Sequence, residues 1–152
     1  MKRINTYGEE NDTNLKLVIA LSRTQLSLGR DLQNFLTPYK LTVAQFGVLE
    51  ALYHKGDMKI CELIEKTLST SGNMTVVIRN LEKEGLVTRQ SNPEDRRAFW
   101  IQLTSKGETL IEAVFNLHLM ELNRFFKLLT EAEKHQLHHL LKKLNGLVDN
   151  KI

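Results

Sequence analysis

Only one cysteine, Cys61, occurs among the 152 residues, so no intramolecular disulfide can staple the fold and a secreted disulfide scaffold is excluded. A lone thiol sits most comfortably in a reducing compartment. Proline is scarce too. The 2 prolines and 8 glycines nowhere gather into a Pro-rich or Ser/Gly-rich tract that could act as a linker. Long apolar runs are missing, since no stretch approaches the ~18 consecutive apolar residues of a membrane-spanning helix. Met1-Lys2-Arg3-Ile4-Asn5-Thr6 leads into polar residues rather than the apolar core of a signal peptide. A cytoplasmic protein without membrane association is expected. Neither sign of charge dominates: Lys+Arg 21 against Asp+Glu 18 leaves +3, which permits a polyanionic partner without demanding one. Enzyme signatures are lacking as well. There is no Gly-rich phosphate loop, no H-E-x-x-H and no nucleophile elbow, and Thr70-Ser71-Gly72 has no neighbouring His or Asp to form a relay. Neither a catalytic centre nor a cofactor is expected.

What is present is helical periodicity. At 41% hydrophobic and 26% charged, the composition is that of one folded unit of ordinary size. From Asn11 to Leu36 the apolar residues Leu15, Val18, Leu21, Leu28, Leu32 and Phe35 fall on one helical face, and Pro38 stops the helix. Thr42-Val43-Ala44-Gln45 is a capping box, and the helix it opens presents Phe46, Leu49, Leu52 and Tyr53 before Gly56 ends it near His54. Asp57 can cap a short third helix, Met58 to about Lys66, with Ile60, Leu63 and Ile64 inward. A fourth runs from about Ser71 to Glu84, with Met74, Val77, Ile78 and Leu81 on its apolar face and Gly85 at its C-terminal cap.

Past Gly85 the period changes. Leu86 to Ser91 and Ala98 to Leu103 are short runs with Val, Thr, Phe, Trp and Ile, joined by Asn92-Pro93-Glu94-Asp95-Arg96-Arg97, which reads as a β-hairpin with a charged tip. Thr104 caps a long helix carrying Leu110, Ile111, Val114, Phe115, Leu122, Phe125, Phe126 and Leu129. Thr130-Glu131-Ala132-Glu133 is a second capping box, opening a last helix with Leu137, Leu140, Leu141, Leu144, Leu147 and Val148.

Two consequences follow from this order. Long striped helices at both ends cannot all bury their apolar faces within one small monomer whose middle has its own core, so a two-fold dimer is expected. Residues 1–40 and 104–152 would form the dimerisation stem, and 41–103 a separate lobe. That lobe, three helices and a hairpin, has the layout of a winged helix-turn-helix, in which one helix enters a major groove and the hairpin reaches the neighbouring backbone or minor groove. The fold class expected is therefore mainly α with a small β-hairpin. Off the apolar face, the fourth helix carries Ser71, Gly72, Asn73, Thr75, Val76, Arg79 and Asn80, a small polar surface free of acids until Glu82. Small residues allow close approach to DNA, hydroxyls bond phosphates, and Asn or Arg pair with base edges.

The run Leu68-Ser69-Thr70-Ser71-Gly72-Asn73-Met74-Thr75, followed by Leu81-Glu82-Lys83-Glu84-Gly85-Leu86-Val87, Asp95-Arg96-Arg97 and Leu103-Thr104-Ser105-Lys106-Gly107, resembles the MarR (multiple antibiotic resistance regulator) family. The wing pattern D-x-R, then a strand ending in L-T-x-x-G, is its strongest part. The resemblance implies a homodimeric repressor or activator that binds a pseudo-palindromic operator in double-stranded DNA and lets go on meeting a small ligand or an oxidant. By the same resemblance Arg97 is the wing-tip arginine that enters the minor groove, Asp95 the carboxylate that holds it, and Ser71, Asn73, Thr75, Val76 and Arg79 face the major groove. An arginine in a narrow minor groove meets enhanced negative potential, which agrees with that role. Arg96 can share phosphate contacts with Arg97. The implied effector site lies where the lobe meets the stem, near Phe35, Tyr39, Phe46 and Phe115, residues that also read as plain core.

Other chemistry reads more plainly. Cys61 is expected at the seam with the fourth helix or partly exposed, and an inert buried thiol is preferred over an oxidant sensor, because reactivity needs a lowered pKa and access. His135 and His139 are helical neighbours, yet His118, His135, His138 and His139 lack the adjacent carboxylates or thiol that a zinc site needs, so no metal site is expected. The alternative function is a helical, dimeric protein-interaction adaptor whose hairpin meets another protein.

Overall fold

The computed structural model describes residues 6–67, 71–91 and 99–147. Its elements run α1 (Glu9–Leu36), a 3-10 turn (Thr37–Tyr39), α2 (Val43–Lys55), β1 (Met58–Lys59), α3 (Ile60–Thr67), α4 (Ser71–Lys83), β2 (Val87–Ser91), β3 (Phe99–Leu103), α5 (Ser105–Phe125) and α6 (Glu131–Leu144). This is a mainly helical winged helix-turn-helix, as the periodicities predict. Local chemistry accounts for most of the boundaries. Pro38 lies in the 3-10 turn that follows α1. Thr42 accepts from the Gln45 N–H while the Gln45 side chain accepts from the Thr42 N–H, so both halves of the first capping box are made. Gly56 takes φ 79 at the end of α2, and Gly85 takes φ 69 just past α4, a left-handed conformation that an L side chain resists. The Leu86 N–H then reaches back to the Leu81 carbonyl at 2.9 Å and closes the last turn.

One apolar cluster unites Leu36, Leu49, Leu52 and Leu63 with Met74, Val77, Ile78 and Leu81 of α4, Val87 and Ile101 of the sheet, and Ile111 and Val114 of α5. All four residues placed on the inner face of α4 by their spacing are buried. Leu63 is buried as predicted, while Ile60 and Ile64 pack against the cluster half-buried.

Three local expectations need correction. The two strands expected of the wing do pair antiparallel, from Val87 opposite Leu103 to Ser91 opposite Phe99, but a third strand joins them in the order β1-β3-β2, with Met58 opposite Ile101 and Lys59 opposite Trp100. Because Met58 and Lys59 are extended to pair with β3, α3 begins at Ile60 rather than Met58. Asp57 then does not cap it. Its carboxylate accepts from the Gln102 side-chain amide, and Glu62 takes the Lys59 N–H at 2.7 Å instead. Cys61 is exposed, not buried, because the inner face of the short α3 is taken by Leu63. Two helix ends also come earlier than the apolar pattern extends. α5 stops at Phe125, and α6 stops at Leu144, where Gly146 at φ 68 and a bond from the Leu147 N–H to the Lys142 carbonyl turn the chain.

By density of contact, Met1–Phe115 and Asn116–Ile152 form two compact units. The second contains α6, whose Thr130 box is fully made and which has no buried residue. Among the described residues no helix is long and apolar enough to cross a membrane.

Candidate nucleic-acid interface

α4 is two-sided. Burial of Met74, Val77, Ile78 and Leu81 leaves Gly72, Asn73, Thr75, Val76, Arg79 and Asn80 exposed, so the structure brings Asn73, Thr75, Val76 and Arg79 onto one outer surface, as their spacing predicts. At Gly72 nothing among the described residues lies within 4 Å of where a Cβ would stand, so glycine leaves this part of the first turn without a side chain. That turn contains no acid. Ser71 begins the helix, but its side chain lies outside the described residues. Asp95, Arg96 and Arg97 also lie outside them, as do Leu68, Ser69 and Thr70.

The strands beside α4 follow the alternation of a half-buried sheet. Val87 and Ile101 point to the core, and Arg89, opposite Ile101, shares that inward parity. An inward guanidinium has to be met by charge or hydrogen bonds. Glu82 of α4 meets it: Arg89 Nε donates to Glu82 Oε2 at 3.0 Å, with both side chains about 30% exposed. The first acid after the polar face is thereby neutralised and turned toward the wing. On the other parity, Thr88 and Gln90 are exposed, and Lys59 Nζ lies 5.3 Å from the Trp100 ring centre, a cation–π contact across the β1–β3 pair.

Sequence reading missed both of these contacts. Glu82 stands out only as the end of the acid-free surface, and the pairing of Lys59 with Trp100 depends on a two-residue strand too short to show a period.

The aromatic residues considered for an effector lie in the unit up to Phe115. Phe35 and Tyr39 approach with ring centres 5.6 Å apart, and Phe115 is met edge-on by His54 at 4.5 Å, with Tyr53 at 6.5 Å. Phe46 is buried in the core. Among the described residues no group of three or more His, Cys, Asp or Glu is placed to hold a metal ion.

Comparison with known proteins places this geometry. A model of the MarR family matches residues 41–99. The HTH-type transcriptional regulator MhqR of Bacillus subtilis (strain 168) is 35% identical over 133 residues, spanning 88% of this chain and 92% of that protein. Among solved structures, a cysteine-to-serine mutant of E. coli MarR complexed with operator DNA superposes with a TM-score of 0.80 at 28% identity, covering 90% of this chain and 99% of that one. Bordetella bronchiseptica BpsR, whose DNA binding is regulated by 6-hydroxynicotinic acid, superposes with a TM-score of 0.78 at 27% identity over 86% of this chain and 98% of that one.

Proposed function

Since the chain belongs to the MarR family of DNA-binding transcriptional regulators and is not an enzyme, we propose that it is a homodimeric repressor of a pseudo-palindromic operator, released by a small ligand or an oxidant. Residues 41–103 act as the DNA-binding lobe, and 1–40 with 104–152 as the dimerisation stem. α4 enters the major groove with Ser71, Asn73, Thr75, Val76 and Arg79. The tip of the wing, Asp95, Arg96 and Arg97, serves the adjacent minor groove and backbone. One observation carries the reading: on α4 every residue chosen for the core is buried, while Asn73, Thr75, Val76 and Arg79 share an exposed, acid-free face. Asn and Arg there have the donors and acceptors for bidentate contacts to base edges.

The effector that fits best is a small aromatic or weakly polar molecule. The pair Phe35 with Tyr39, and the group of Tyr53, His54 and Phe115, offer ring faces and edges with three polar handles. The ligand named for BpsR is of that class.

The test begins with sequencing the genomic DNA that the purified protein retains. On the operator so found, Asn73→Ala or Arg79→Ala is expected to cost ~1–3 kcal/mol and narrow the advantage over random DNA. Arg97→Ala should weaken binding and make its salt dependence shallower by up to about one unit of slope, with Asp95→Ala a milder version. Unchanged affinity, slope and preference in all these variants would remove α4 and the wing from DNA contact and favour the adaptor reading.

A further inference from the structure

The turn that ends α4 is tied to the start of α5 by contacts beyond the cap that α5 itself uses. Thr104 Oγ1 accepts from the Gly107 N–H at 3.0 Å, which caps α5, and the same hydroxyl donates to the Gly85 carbonyl at 2.7 Å. The Thr104 N–H donates to the Leu86 carbonyl at 3.0 Å, and Lys106 Nζ donates to the Glu84 carbonyl at 2.7 Å. Three successive carbonyls, Glu84, Gly85 and Leu86, are thus each taken by a donor from Thr104 or Lys106. Gly107 completes the joint. It is buried, and a Cβ there would collide with the Leu86 carbonyl oxygen, so the backbones can meet this closely only because position 107 has no side chain.

An N-cap needs only a hydroxyl turned toward its own helix, and exposed carbonyls such as those of Glu84 and Gly85 can be hydrated instead. Several attachment points spread over consecutive peptide units do something further, since they fix direction as well as distance. The Leu86 N–H to Leu81 carbonyl bond carries that constraint into the last turn of α4. We propose that Thr104, Lys106 and Gly107 are positioning residues for DNA recognition, holding α4 at a set angle to α5 so that two copies present their reading helices at one spacing. The proposal rests on the dimeric operator reading above. In a two-fold complex the half-site separation mirrors the separation of the reading helices, so a loosened joint widens the range of spacings tolerated.

The experiment uses the full chain and its operator, together with operators whose half-sites are moved apart or together by one or two base pairs. Thr104→Val keeps the shape and removes the hydroxyl. Lys106→Met keeps the apolar stem and removes the donor, at an exposed side chain outside the core. Wild type is expected to penalise displaced half-sites on the order of tenfold. Lys106→Met should shrink that penalty, and Thr104→Val with Lys106→Met should bring it to within about threefold, whereas Thr104→Ser restores wild-type discrimination. Thermal melting of Lys106→Met should stay near wild type, which separates positioning from folding even if Thr104→Val unfolds the chain. Variants that weaken every operator equally, or keep the wild-type spacing ratio, overturn the inference alone. A wild-type protein that binds no operator, or binds all spacings alike, overturns the dimeric operator reading and the inference together.

Discussion

Neighbouring residues on α4 should respond to truncation in opposite ways. Ile78 is 0% exposed and Val76 is 43% exposed, two positions apart on the same helix. Ile78→Ala removes methyl groups from a filled core and should cost ~2–5 kcal/mol in urea unfolding. Val76→Ala should change stability by less than about 0.5 kcal/mol and instead alter operator preference, through lost apolar contact with a thymine methyl. Equal stability losses in the two variants would mean that the faces of α4 are misassigned. Gly107 presents a different conflict. In an open helix Ala would be favoured over Gly by ~1 kcal/mol. Here the added methyl meets the Leu86 backbone carbonyl, which cannot rotate away as a flexible side chain could. Gly107→Ala should therefore be net destabilising, with the overpacking cost of ~1–3 kcal/mol outweighing the propensity gain. A lower urea midpoint is the expected result, and a raised one would contradict it.

At the scale of the elements, α6 has a complete N-terminal cap and buries none of its residues within its own chain. The Thr130 N–H and hydroxyl both donate to Glu133 Oε2, at 2.8 and 2.9 Å, while the Glu133 N–H donates to Thr130 Oγ1. Those donors, the backbone N–H first, hold the Glu133 carboxyl below its ordinary range, and Lys134 does the same for Glu131 through a hydrogen bond and its charge. A carboxyl lowered in the folded state stabilises it above the unfolded value, and that contribution is lost as pH falls through the folded value. The helicity of α6 should thus be insensitive to pH near neutrality and decline on acidification through the carboxylate range. Glu133→Gln keeps an acceptor oxygen but does not titrate, so its helix signal by circular dichroism should fall less over the same range. Identical acid profiles for both proteins would show that the cap does not contribute to the acid response.

On the scale of the whole molecule, apolar surface is left uncovered. Leu15, Val18 and Leu21 on α1 are exposed, and so are Leu137, Leu140 and Leu144 on α6. At ~25 cal/mol per Å2 of apolar area removed from water, stripes of this kind provide a strong drive for association. Together with the two-fold logic of operator binding, they support the homodimer proposed above. Deleting residues 130–152 should abolish dimerisation and operator binding together, as read by light scattering and by competition binding at low concentration. A truncated chain that remains dimeric would place the interface elsewhere.

Much of this protein follows from local rules operating within a turn or two of helix. The period of Met74, Val77, Ile78 and Leu81 selects the buried face of α4 and thereby its outer face. The Thr42 and Thr130 boxes and Gly56 and Gly85 set helix ends, since caps involve residues three or four apart. The wing motif and the acid-free surface were legible for the same reason, and with them the family. Contacts between different elements were not. Met58 and Lys59 read as the first turn of α3, yet they become a strand because the edge of β3 offers hydrogen bonds that a first helical turn lacks. Asp57 leaves its capping position for Gln102, 45 residues away. Arg89 acquires Glu82 because the parity of β2 points it inward. The glycine of L-T-x-x-G is visible as a motif, but its reason for being glycine is the Leu86 carbonyl. Periodicity encodes which side of an element is buried; what lies against that side depends on packing between elements, and only the folded chain supplies it.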